Sequence, residues 1–185
     1  SGTPFMDHHS TFLSIISLLI FILALKTKFN FYWFLLPIAL GLAFLSKQVP
    51  AGYVFLIISF LSIIYFLINF DIKKIFFGIL GSILFLAVFI ITMKLGNISF
   101  MSFFEQYILF PQTLGKDRLE FVFPLEFKKI ILRFKLIHLS LLVLVFICIK
   151  KIIENRNYIK NEEFLILISL IAAGFALILL ELMTI

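Results

Sequence analysis

The chain is 185 residues long, 63% hydrophobic and 14% charged, with a formal net charge of +6, whereas soluble domains carry roughly 45–50% apolar and about 25% charged residues. A water-soluble fold of this size cannot hide so much apolar surface, and with Cys148 as the only cysteine neither a disulfide framework nor a cysteine metal site can form within the chain. The positive charge resides in Lys and Arg that flank apolar runs, which is the pattern of membrane anchoring and requires no nucleic-acid partner.

The first residues, from Ser1 to His9, are polar and acidic rather than a basic stretch followed by an apolar one, so they do not read as a signal peptide. The chain opens without an initiator Met and stops at Ile185 directly after an apolar run, which leads to the expectation that it is a piece of a longer protein. Between these ends six apolar runs predict membrane-spanning helices: Ser10 to Leu25, Phe29 to Leu45, Ala51 to Phe70, Ile75 to Met93, Leu136 to Ile149 and Phe164 to Met183. The fifth is the shortest and is expected to borrow from Ile130 to Lys135, with Arg133 and Lys135 reaching back to the interface. Phe content favours strands by propensity, but Ile75 to Met93 shows none of the alternation that a membrane barrel needs. The expected fold is therefore all-α, a polytopic helical bundle forming a single domain over residues 1–185, because helices satisfy every backbone amide inside lipid.

Only Ser46-Lys47-Gln48-Val49-Pro50 interrupts the stretch from Phe29 to Phe70, so the chain must turn back near Lys47, with Pro50 and Gly52 as the local means. Lys26, Lys28, Lys73, Lys74, Lys150, Lys151, Arg156 and Lys160 then fall on one side, which the positive-inside rule makes cytoplasmic. Ser1 to His9, the Lys47 turn and the long connection from Lys94 to Lys135 share the opposite side. Within that connection Ile98 to Phe110 has the composition of an interfacial helix ended by Pro111, and Phe121 to Lys135 of a second one.

Three polar groups are thereby expected on the non-cytoplasmic face: Asp7-His8-His9, Lys47-Gln48, and Glu105 with Lys116, Asp117, Arg118 and Glu120. Each has an ordinary reading. Asp7 suits the positive end of a helix that Ser10 or Thr11 would cap, and Lys47 can reach toward lipid phosphates. His8 and His9 beside a carboxylate are the one candidate for a divalent metal, but adjacent helical residues diverge by about 100°, unlike a helical zinc pair. His138 and Glu181 fit interfacial or interhelical contacts. Lys47 also admits a chemical reading, in which it meets the phosphate of a bound lipid carrier.

Two stretches, Thr3-Pro4-Phe5-Met6-Asp7-His8-His9-Ser10 and Gly41-Leu42-Ala43-Phe44-Leu45-Ser46-Lys47-Gln48-Val49-Pro50-Ala51-Gly52, resemble the polytopic GT-C glycosyltransferases, especially the protein mannosyltransferase and lipid A aminoarabinose transferase branch. The resemblance covers about the first third of the chain. It implies a polyprenyl-phosphate-linked sugar as donor and an acceptor hydroxyl of unspecified identity, with Asp7 matching the second-loop acid and Lys47 a phosphate contact. Gln48 and Arg118 join Lys47 as substrate-binding candidates on the residues alone. No other cofactor is implied, and the setting is a bacterial inner membrane with the active face outward. The alternatives are a transporter, against which the absence of charges near span centres counts, and a non-catalytic membrane scaffold that docks partners on its long loop.

Overall fold

The computed structural model describes residues 5–110 and 134–183. Among them are seven α-helices and no strand. α1 (Phe5–Lys26) ends on Lys26, a cation at the negative end of the helix dipole. α2 (Phe31–Ser46) and α3 (Gln48–Ile68) are separated by Lys47 alone, whose extended backbone (φ −164°, ψ 136°) reverses the chain. Pro50 sits in the first turn of α3, where its missing amide hydrogen costs no helical bond. Gly52 lies inside α3, and no described glycine has positive φ, so the turn rests on the Lys47 backbone rather than on glycine freedom.

α4 (Ile72–Leu95) is capped by Asp71, whose carboxylate accepts from the backbone amides of Lys73 and Lys74. A turn through Asn97, at φ 51°, leads to the short α5 (Phe100–Phe104), capped by Ser99, which runs on into a π-helical turn Glu105–Leu109. α6 (Lys135–Glu154) starts at Lys135 and finds its length at the other end, continuing through Lys150 and Lys151 to Glu154. A 3₁₀ turn (Arg156–Lys160) connects it to α7 (Glu162–Met183). The second interfacial stretch expected from Phe121 lies outside the described residues, apart from Phe134 and Lys135.

α1, α3, α4 and α6 each contain a stretch long and apolar enough to cross a membrane. α2, with 16 residues, reaches about 24 Å. The surface has the inverse of a soluble protein's polarity. Leu67 is 81% and Ile153 77% exposed, whereas Ser10, Ser17 and Ser169 are at 0%. On α1 the buried Ser10, Ser14, Ser17, Phe21 and Ala24 form one stripe at helical spacing, so the small and hydroxylated residues face the bundle, while Phe12, Ile15, Leu19 and Leu23 face outward. Together these features define a helical membrane protein.

α1 packs on α2 and α3, α3 on α7, and α7 on α6, while α4 is attached through α2. The core lies toward the basic end, where Phe21 and Leu25 of α1, Trp33 of α2, Tyr65 of α3 and Leu165 of α7 form one cluster. Trp33 is its centre: the indole donates to the Ala24 carbonyl at 3.1 Å, stacks on Tyr65 at 5.4 Å and meets Phe21 edge-on. Its polar atom is therefore satisfied within the bundle. α4 approaches α2 closely because Gly81 faces the Phe34 carbonyl and the Pro37 ring, and Gly41 faces the Phe85 ring.

Candidate functional site

At the end of the bundle opposite the Trp33 cluster, the start of α1 meets the α2–α3 turn. Ser10, fully buried, donates its hydroxyl to the Lys47 carbonyl at 2.9 Å, with the Ala43 carbonyl 3.3 Å away. The serine is five residues into α1 and does not cap it; its bond crosses to another helix. Asp7 lies one turn before Ser10 on the same helix, so the first turns of α1 and the Lys47 turn are direct neighbours. The side chains of Asp7 and His8 lie outside the described atoms, and His9 is exposed. Among the described residues no three potential ligands of the His, Cys, Asp or Glu type converge on a metal position.

Lys47 is half-buried and makes its backbone bond to Ala43, N to O, at 3.3 Å. Gln48 opens α3, and its Nε2 is buried without a hydrogen-bond partner, an uncompensated donor beside the lysine. The positive end of the α3 dipole falls at the same place. An ammonium, an amide donor and a helix amino terminus in succession make this turn favourable to an anion such as phosphate.

The polar segment after α4 returns to the same end. Phe103 packs edge-on against Phe89 and stacks on Tyr107, and Tyr107 meets Phe44 and donates its hydroxyl to the Phe44 carbonyl. Burial pushes the Tyr107 phenol up to about 12, so it remains a protonated donor at neutral pH. Glu105 is exposed in this π-helical turn. The segments carrying Asp7, Lys47 with Gln48, and Glu105 thus share one end of the bundle. Lys116, Asp117, Arg118 and Glu120 lie outside the described residues.

Sequence reasoning missed two contacts that assemble this end. Ser10 was readable as a member of the Ser10, Ser14, Ser17 stripe, a spacing of small polar residues that marks a packed membrane helix face. The Tyr107 bond to Phe44 spans sixty-three positions and carries no local signal. His138, in the first turn of α6, has a buried Nε2 without a partner, while the Glu181 side chain is outside the described atoms.

Compared with known proteins, the chain matches no family model, no curated protein and no solved structure.

Proposed function

We propose that this chain belongs to a membrane glycosyltransferase of GT-C type, which moves a sugar from a polyprenyl-phosphate donor to an acceptor hydroxyl on the non-cytoplasmic face of a bacterial inner membrane. In this reading all six long helices span the bilayer, and the basic connections lie in the cytoplasm. The observation that carries the proposal is the Ser10 to Lys47 hydrogen bond, which sets the turn bearing Asp7 against the turn bearing the lysine.

The chemistry follows from charge development. Attack of a hydroxyl at the anomeric carbon breaks the bond to the donor phosphate, and negative charge grows on the departing oxygen. Lys47, the Gln48 amide and the amino terminus of α3 receive that charge, with Arg118 as a second cation. Asp7 orients the acceptor hydroxyl or takes its proton.

Two substitutions test this in the full-length protein assayed in membranes. Lys47→Ala is expected to reduce transfer by roughly 10²–10³ and Asp7→Asn by about 10²–10⁴, the ordinary worth of an oxyanion donor and of a general base. Both variants should still insert. Normal transfer by both would remove the site assignment, and substrate flux in proteoliposomes without transfer would favour a transporter. Sidedness is tested separately: Lys47→Cys, in a Cys148→Ser background, should react with a membrane-impermeant maleimide from outside the cell. Labelling from the cytoplasm alone would refute the outward-facing site.

A further inference from the structure

A groove of about 560 Å³ runs along the other half of the molecule, walled by α3 and α4 and floored by α2. It exists because α3 and α4 both pack on α2 while scarcely touching each other. The volume lies within the range of ligand pockets, about 300–1,000 Å³. Phe55 and Phe66 line one wall, and Gly78, Phe85 and Leu86 the other. At the basic end its lining includes one cation, Lys74.

Lys74 is held at this mouth by Tyr65. Its ammonium donates to the Tyr65 hydroxyl at 2.6 Å and lies 5.1 Å from the centre of that ring. One of its three donor positions is used by Tyr65, and the other two make no hydrogen bond among the described residues. The neighbouring acid, Asp71, accepts from two backbone amides of α4 and caps the helix. Lys73 adjoins Lys74 in the first turn of α4, and Lys26 and Lys28 lie between α1 and α2 at the same end of the bundle, which also carries Glu162 and Glu163 at the start of α7.

Length decides what fits. From Lys74 to Leu86 the wall rises about 18 Å along α4, close to one leaflet of a hydrocarbon core about 30 Å thick. A further transmembrane helix would need a seam along the whole bilayer. A single acyl chain needs this depth and a headgroup contact at its outer end. We propose that the groove holds one acyl chain of an anionic phospholipid from the leaflet at the basic end, with the lipid phosphate on Lys74. This inference is independent of the proposed glycosyl transfer, which concerns the opposite end.

Native mass spectrometry of the detergent-solubilised full-length protein tests it, using phosphatidylglycerol and phosphatidylcholine with identical chains. One phosphatidylglycerol per protein should be retained in preference to phosphatidylcholine. Lys74→Gln should weaken phosphatidylglycerol retention about fivefold, the worth of one lysine at an anionic surface, and weaken phosphatidylcholine less, because the choline ammonium offsets the phosphate charge that Lys74 meets. Ser62→Phe, which fills the groove from α3, should abolish retention of both lipids while helical circular dichroism is preserved. Equal retention of the two lipids by the unsubstituted protein would overturn the proposal without reliance on any variant. So would retention indifferent to Ser62→Phe, or a dimer mass in place of the lipid adduct.

Discussion

Ser10 shows how much one hydroxyl can organise when the surroundings are dry. Water cannot replace its bond to the Lys47 carbonyl, because the side chain is fully buried. Ser10→Ala is therefore expected to lower stability in detergent by about 0.6–2 kcal/mol, the range measured for interhelical polar contacts in membranes. A thermal unfolding comparison measures this, and an unchanged midpoint would mean that the hydroxyl is dispensable. If the bond positions the turn, the same variant should also lower transfer activity more than Ser17→Ala, whose hydroxyl bonds only to Leu13 within α1. At this scale the sequence was legible for charge and opaque for contact. Lys47 and Gln48 declare themselves as polar residues in an apolar stretch, but nothing local distinguishes a serine that crosses to another helix from one that folds back on its own.

Among the elements, α4 depends most on a few residues. Its contact with α2 passes through Gly81, where an added Cβ would come within 2.0 Å of the Phe34 carbonyl oxygen, a backbone atom with little freedom to move. Gly81→Ala should therefore separate the helices and destabilise the protein by about 1–3 kcal/mol, the usual cost of overpacking. Gly52→Ala meets nothing within 4 Å and should be neutral or stabilising by about 0.5–1 kcal/mol, through helix propensity alone. Unfolding midpoints of the two variants, measured side by side, distinguish packing from propensity; equal shifts would contradict the close approach. The positions of the long helices were readable from apolar run length, because lipid imposes that length directly. Their ends were less so: α6 gains its last turn from Lys150 to Glu154 because a helix can carry lysines at its carboxyl end, where the dipole favours them.

On the scale of the whole molecule, charge arranges the ends while the apolar middle stays free of it. At the basic end Lys151 reaches Glu163 at 2.6 Å and joins the end of α6 to the first turn of α7, ahead of the apolar stretch. That hydrogen bond holds the Glu163 carboxyl below its ordinary value of 4.5. A carboxyl lowered in the folded state stabilises the fold above its unfolded value, and the benefit disappears as the pH falls through the lowered one. The difference in unfolding midpoint between the protein and Glu163→Gln should hence be present at neutral pH and vanish once the pH has fallen below the lowered value. A difference that persisted there would assign the effect to something other than this pair. The link between α2 and α3 has a further consequence for how the chain is made. With Lys47 alone joining them, there is no slack for one helix to enter the bilayer and wait while the other remains in the translocation channel. Where both helices span the bilayer, they therefore insert as a hairpin rather than one by one.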